Sequence, residues 1–212
     1  MTVEELFRQL SYGELSNLAV AVDATGTIKK TQQNRVIHFA NEGLRALHTR
    51  FPLIETPLSL TLTADTELVV ALPDGAIKVL SILTAWGESI SFTTVVQPGA
   101  FYVAGGEIHV PALAVDTGTE LQAYLQMRHP TLDPIVADAD LAQVITLLPE
   151  LHKALTSYIA AEMYGTMNTA DATATAANHR ARYETICLEA LSLGLVPSEI
   201  RPGQKFEARG WV

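Results

Sequence analysis

Cysteine is nearly absent from this sequence, because Cys187 is the only one among 212 residues. A single cysteine excludes a disulfide within the chain and a zinc site built from several thiolates of one chain. The six histidines, at positions 38, 48, 109, 129, 152 and 179, have no metal-ligand spacing with one another or with Cys187. The sequence therefore predicts no metal site and no cofactor.

Positive charge is also scarce. The chain has 14 Lys and Arg against 23 Asp and Glu, which gives a formal net charge of -9, and its longest basic run is Lys29-Lys30. Binding to a nucleic-acid backbone requires a clustered basic surface that releases counterions. We therefore expect no specific nucleic-acid binding. An acidic surface suits instead a protein past which DNA moves without adhering.

Long apolar runs are missing as well. No stretch approaches the roughly 20 apolar residues of a membrane-spanning helix, and the N-terminal MTVEELFRQL, with two glutamates, resembles neither a signal peptide nor a transit peptide. We expect a cytoplasmic protein with no membrane association. Because 48% of the residues are hydrophobic and 17% are charged, the chain has enough apolar surface to fold, and we expect a single domain.

Helical periodicity marks the N-terminal quarter. Thr2 and Glu5 have the spacing of a capping box, and apolar residues follow at three-or-four spacing up to Leu10. A longer helix is predicted from about Gln32 to Arg50, where Gly43 is explained if a neighbouring element packs closely against it.

The same periodicity returns near the C-terminus. Pro149 fits the first turn of a helix that should end at Gly165. The Ala- and Thr-rich stretch 169–177 is expected to form a loop and the first turn of a last helix, which is predicted over about 172–193 with Gly194 just past its end. Its buried face is expected to carry the side chains Tyr183, Cys187, Ala190 and Leu191.

Alternating apolar and polar residues fill the middle of the chain, which predicts strands joined as hairpins. The candidate strands are 58–63, 67–72, 77–85, 89–95, 101–103, 107–110 and 120–127. The predicted class is α+β: N- and C-terminal helices (1–51 and 148–196) form a bundle, with an antiparallel β-rich unit (56–128) inserted and an extended tail (197–212) following.

Two patterns suggest catalysis but lack the context that catalysis needs. Residues 18–27 resemble the DxTGT loop of aspartyl-phosphate enzymes, with Asp23 as nucleophile, yet no parallel βαβ units follow and the later acids Asp138 and Asp140 follow no predicted strand. His152 lies one helical turn before Thr156, without an orienting acid. A turn and a helix face explain these residues better, so the chain is not expected to be an enzyme.

Aromatic residues suggest two kinds of surface. The β-rich unit contains Trp86, Tyr102 and Tyr124, which would serve a small-ligand or carbohydrate-binding module, although structural burial is the favoured interpretation. The tail carries large apolar residues at a terminus that would otherwise fray. Whether the tail folds back onto its own core or docks on another subunit stays open. The candidate interface residues are Lys205, Phe206, Arg209, Trp211 and Val212.

Taken together, several segments resemble the head-to-tail connector or adaptor proteins of tailed bacteriophages over nearly the whole chain. They are LSYGELSNL (10–18), NEGLRALHTRF (41–51), LPELHKAL (148–155) with YIAAEMYG (158–165), and KFEARGWV (205–212). None is a chemical motif, because the shared pattern is one of packing residues.

The resemblance implies a virion structural protein, assembled in the bacterial host cytoplasm. Such a protein would form a homo-oligomeric, dodecameric ring that joins the portal protein to a tail or nozzle protein and lines the DNA exit channel. DNA would pass through without specific binding, and no cofactor is implied. A tail-terminator or tail-completion protein is the alternative within the same class.

Overall fold

The computed structural model describes residues 1–18, 20, 26–61, 67–94, 100–111 and 120–197. These residues form two compact units, one built from 1–53 with 129–197 and the other from 54–128. The class is mixed α+β, as predicted. The described helices are α1 (Val3–Tyr12), α2 (Lys30–Arg50), α3 (His152–Gly165) and α4 (Ala170–Ser192), with 3-10 turns at Asp138–Ala142 and Pro149–Leu151.

The first unit begins with the predicted capping box. The Thr2 hydroxyl accepts a hydrogen bond from the Glu5 N–H, and the Glu5 carboxylate accepts one from the Thr2 N–H, so two N–H groups at the helix start are satisfied. Every apolar residue predicted to face inward from α1 is buried in the core of this unit. These residues are Val3, Leu6, Phe7 and Leu10.

The close approach predicted at Gly43 occurs between α2 and α3. A Cβ atom built on Gly43 would lie 2.8 Å from Leu155 Cδ1 and 2.9 Å from Tyr158 Cδ1, which is closer than real Cβ contacts. Leu155 is fully buried, so it has little room to retreat. Packing therefore requires glycine at this position, and the cost of a Cβ clash outweighs the helix propensity that Ala would add.

Gly43→Ala is expected to destabilise the protein by up to about 2 kcal/mol, because overpacking a close helix contact costs about 1–3 kcal/mol and the gain in helix propensity offsets roughly 1 kcal/mol of it. Chemical denaturation should show this as a lower midpoint with an unchanged slope. Ala46→Gly, at a half-buried position of the same helix, is the matched control for propensity alone. A Gly43→Ala variant more stable than the parent would contradict the packing argument.

Helix α4 starts two residues earlier than predicted. Its N-cap is Thr169, whose hydroxyl accepts from the Ala172 N–H at 3.3 Å, so the short loop expected before residue 172 already belongs to the start of the helix. Gly194 follows the helix with φ +67°, the left-handed conformation predicted for it. Tyr183, Cys187 and Ala190 are buried as expected, but Leu191 is 43% exposed, so its predicted burial was wrong.

The second unit contains one seven-stranded sheet. Its strands, in chain order, are β1 (Glu55–Thr61), β2 (Leu68–Ala71), β3 (Ala76–Thr84), β4 (Ser89–Phe92), β5 (Ala100–Ala104), β6 (Glu107–Val110) and β7 (Glu120–Met127). The order across the sheet is β1-β7-β3-β4-β5-β6-β2. Each strand overlaps a candidate strand from the sequence, because the apolar alternation is strong throughout this segment.

Two features of the pairing differ from a set of simple hairpins. The first and last strands pair with each other, Glu55 opposite Gln126 through Thr61 opposite Glu120. In addition, β4 and β5 run parallel over the pairs Ser91–Ala100 and Phe92–Phe101, so the expectation of a wholly antiparallel unit was wrong. The side-chain period is two in both orientations, and the sequence pattern therefore does not reveal strand direction.

The inward face of the sheet forms a core of its own. It contains the buried residues Leu60, Ile82, Ile90, Phe101, Ile108, Val110, Leu121, Ala123 and Leu125. Pro57, which has no N–H to donate, lies in β1 at one edge of the sheet, where a proline is tolerated.

Candidate functional site

The five residues predicted to form an interface, Lys205, Phe206, Arg209, Trp211 and Val212, lie outside the described residues. The described chain ends just after a fixed point: Val196 is 4% exposed and belongs to the core of the first unit, and the exposed Pro197 follows it. The described chain therefore ends at a buried anchor close to the C-terminal end of α4.

A cluster of exposed leucines lies at that end of α4. Leu188, Leu191, Leu193 and Leu195 are between 43% and 70% exposed. Exposed leucines are ordinary when scattered, but several close together on one element are typical of an interaction surface. We call these four residues the leucine cluster.

Trp86 is the most exposed aromatic residue of the second unit. It lies in the turn between β3 and β4, where the Thr84 N–H donates to the Glu88 carbonyl at 2.8 Å and Gly87 has φ +82°. A side chain at the tip of such a turn has no sheet face beneath it, and Trp86 is 88% exposed. Its expected burial was therefore wrong.

The other two aromatic candidates make polar contacts within the sheet. The Tyr102 hydroxyl donates to Glu67 Oε1 at 2.8 Å, and the Tyr102 ring stacks on His109 at 4.5 Å. The Tyr102 hydrogen bond, followed by that from His109, holds the pKa of Glu67 below its usual value. Tyr124 donates to Gln122 Oε1. Within the described part of the chain no ring contact joins Trp86, Tyr102 and Tyr124, so they do not build one stacking site.

The catalytic candidates are not assembled either. His152 Nε2 lies 3.2 Å from the Leu147 carbonyl, while the Thr156 hydroxyl lies 3.2 Å from Glu14 Oε1, so each is bound to a different partner. Asp140 accepts from two backbone N–H groups at 2.8 Å, which lowers its pKa. Asp138 forms a surface ion pair. Asp23 lies outside the described residues.

Glu14 instead has a structural role that the sequence did not suggest. Its carboxylate accepts from the Thr156 hydroxyl and lies 3.7 Å from Arg182 Nη1, and its carbonyl accepts from the Tyr164 hydroxyl at 3.4 Å. The side chain of Glu14 is only 12% exposed. Glu14 thus ties the turn after α1 to both α3 and α4.

Two imidazoles meet in the core of the first unit. The His48 and His129 rings lie 5.4 Å apart, edge to face, and both residues are buried. His129 Nε2 accepts from the Thr146 N–H at 2.9 Å, and Nδ1 faces the Pro130 carbonyl, so Nδ1 carries the proton of a neutral ring. Burial lowers the pKa of His129.

Acidification below pH about 6.5 is expected to destabilise the first unit. Because the folded-state pKa of His129 is depressed, the unfolded chain binds more protons than the folded chain, and stability falls as the pH drops from about 6.5 towards 5. Protonating Nε2 also breaks the Thr146 hydrogen bond. His129→Asn should reduce the slope of unfolding free energy against pH in this window. It should not abolish the slope, since burial lowers the pKa of His179 too.

The matched control for this prediction is His38→Gln, because the His38 side chain is 66% exposed. A slope that disappears equally in both variants, or that is unchanged by His129→Asn, would show that His129 does not control the acid response. Thermal unfolding at fixed ionic strength, measured at half-unit pH steps, provides the comparison.

Among the described residues, no three His, Cys, Asp or Glu side chains come together as a metal ion would require. None of the helices that the described residues form has the length and apolar character needed to cross a membrane.

Comparison with known proteins decides the family. The family model described as SU10 adaptor protein matches residues 10–194, which is most of the chain and covers residues 54–128 of the second unit and most of the first unit. The chain belongs to the SU10 adaptor family. None of the curated proteins matches it.

Membership in the SU10 adaptor family confirms the resemblance to phage head-to-tail adaptor proteins. Adaptors of this family are structural components of the virion that interact with other head and tail proteins. The match begins at Leu10, at the end of α1, and stops at Gly194. The predicted interface residues 205–212 lie beyond it.

Proposed function

We propose that this adaptor assembles as a dodecameric ring between the portal and a tail or nozzle protein, and that the ring lines the DNA exit channel. The observation that carries the proposal is the match to the adaptor family over residues 10–194. Its action would depend on shape and neighbour contacts, with no chemical step.

The distribution of charge supports passage of DNA without adhesion. Residues 54–128 contain eight acidic residues but only Lys78 and Arg128 as bases. A channel wall with this balance repels phosphates over roughly one Debye length, which is about 8 Å at physiological salt. DNA can then move past the ring with little friction from ion pairing.

Contacts between copies are proposed to involve the C-terminal tail. Phe206 and Trp211 supply aromatic anchors of the kind that dominate interface energies, and Lys205 and Arg209 supply charge for an otherwise acidic neighbour. Heterologous contacts of this type close a ring when the rotation between copies is right. In this assembly the terminal helices would form the bundle that holds each tail at its point of departure, Val196.

A phage that lacks this chain tests the proposal directly. An adaptor mutant should accumulate DNA-filled heads that fail to join tails, while separately assembled tails keep their normal length. A tail terminator, the alternative, would instead leave tails of uncontrolled length. Normal head-to-tail joining without the chain would contradict both functions. Supplying the chain from a plasmid should restore joined particles in the adaptor case.

A further inference from the structure

Helix α4 carries a second apolar stripe, on the side away from its own core. The residues that face the core are Ala172, Ala176, Tyr183, Cys187 and Ala190. The exposed stripe follows an alternating spacing of three and four residues, which keeps it on one side of the helix. Its members are Ala174, Ala177, Ala181, Glu184, Leu188 and Leu191, and all six are exposed.

The stripe is divided by side-chain size. Its N-terminal half contains three alanines, and the two residues beyond Glu184 are leucines, of which Leu188 is 56% and Leu191 43% exposed. When two copies of such a helix are placed antiparallel about Glu184, Ala177 of one lies opposite Leu191 of the other, and Ala181 lies within one residue of the level of Leu188. Ala177 and Ala181 then each face a leucine, and a small residue facing a large one is the condition for close packing.

The single polar residue of the stripe lies at its centre, where the two helices would cross. Glu184 is neutralised within its own copy, since Arg50 Nη1 lies 2.7 Å from its carboxylate. Two such ion pairs would meet at the two-fold axis, and each arginine could bridge both carboxylates. A polar residue at one position of an apolar seam is a known way to fix register.

We propose that the free adaptor forms an antiparallel two-fold dimer through the exposed stripe of α4, with a second copy of this chain as the partner. The self-complementary order of alanines and leucines argues for this partner, because the same surface serves both copies. The dimer would cover two leucines of the leucine cluster while the protein awaits assembly. A cyclic ring uses heterologous contacts, so the dimer is a form of the free protein and lies beyond the ring function proposed above.

Disulfide trapping tests the geometry residue by residue. In the antiparallel dimer, Glu184 lies opposite itself, whereas two copies of residue 177 are about 21 Å apart along the axis, at 1.5 Å per residue. A disulfide needs Cα atoms within about 7 Å. Glu184→Cys should therefore form a covalent dimer on mild oxidation, and Ala177→Cys alone should not. A mixture of Ala177→Cys with Leu191→Cys should cross-link again.

The controls use the same chain. The parent protein keeps Cys187, which is fully buried, and should give no covalent dimer. The yield from Glu184→Cys is expected to exceed that from Ala177→Cys at least tenfold. Leu188→Glu should shift the native protein to a monomer in sedimentation, while Val136→Glu, at a site 91% exposed and outside the α4 stripe, should leave the dimer intact.

Equal cross-linking of Ala177→Cys and Glu184→Cys would indicate parallel or random contacts and would overturn the proposal. So would a monomeric parent at every concentration tested. These outcomes are separate from the ring function, because head-to-tail joining in infected cells can succeed without the dimer. Conversely, a trapped dimer of a protein that never joins heads to tails would support the α4 dimer and contradict the proposed ring function.

Discussion

Deletion of residues 203–212 is expected to weaken ring assembly at least about 30-fold in concentration while leaving the thermal unfolding of the monomer unchanged. The deleted segment contains Phe206 and Trp211, and loss of one aromatic hot spot costs about 2 kcal/mol or more in binding. The last core residue of the first unit in the described chain, Val196, is retained. The truncated chain should therefore fold as the parent does and yet assemble into rings more weakly.

The measurement is analytical ultracentrifugation of parent and truncated chains, under conditions in which the parent forms rings, together with calorimetric melting. The control is the double variant Lys205→Ala, Arg209→Ala, which keeps both aromatic anchors and should weaken assembly less. If the truncated chain loses its cooperative melt, the tail belongs to the protein's own core. Unchanged assembly would show that neighbouring copies do not use the tail.

Single substitutions in the core of either unit are expected to have the largest effect on stability. Leu155 is fully buried in the first unit and Phe101 is 1% exposed in the second. Truncation of such residues to Ala costs about 2–5 kcal/mol, a large share of the 5–15 kcal/mol that stabilises a typical domain. Both Leu155→Ala and Phe101→Ala should lower the midpoint of one shared transition, because the sequence predicts a single domain.

The coupling that we expect between the two units has a physical source in chain closure. The ends of the second unit are held together by β1 and β7 and by the hydrogen bond from Met127 N–H to the Ile54 carbonyl. If this pairing melts, the first unit must close a loop formed by residues 54–128, at an entropic cost of about 4 kcal/mol. Unfolding of one unit should therefore destabilise the other.

Circular dichroism at 222 nm reports on the helices, and tryptophan fluorescence reports on Trp86 of the second unit together with Trp211 of the tail, so coincidence of the two unfolding curves tests the single transition. A surface variant in each unit, Arg8→Ala and Glu88→Ala, should leave the free energy of unfolding within about 0.5 kcal/mol of the parent, because both positions are exposed. Two separate transitions, each shifted by only one core variant, would contradict the single-domain prediction.

The elements of the fold were largely predictable because local signals were strong. The capping box of Thr2 and Glu5, the inward face of α2 and the left-handed Gly194 depend on residues within one or two turns of each other. The periods of 3.6 and 2 residues also located all seven strands. Local physics was sufficient wherever the contact partner lay nearby in sequence.

Long-range pairing was not predictable from the same signals. Three contacts join residues that are far apart in the chain. They are the ring contact of His48 with His129, the hydrogen bond of Thr156 to Glu14 that links the turn after α1 to α3, and the pairing of β1 with β7. No periodic pattern encodes such partners. Leu191 illustrates the limit: its spacing fits a buried face, but the helix has two apolar sides, and tertiary packing covers only one of them.

Only some of the functional features could be predicted from the sequence. The acidity of the chain and its lack of chemical motifs pointed to a structural protein before any fold was known. The exposed Trp86 and the leucine cluster became visible only in three dimensions, because exposure depends on what packs against each side chain. The tail residues remain a prediction from the sequence.

The most direct test of the adaptor account is a native mass measurement of the purified chain with and without isolated portal rings of the same phage. The account predicts a complex in which each portal ring carries a fixed, ring-sized number of copies, and in which added DNA does not bind the free chain. A chain that never associates with portal rings at any salt concentration, while it binds free tail tubes or DNA tightly, would contradict it.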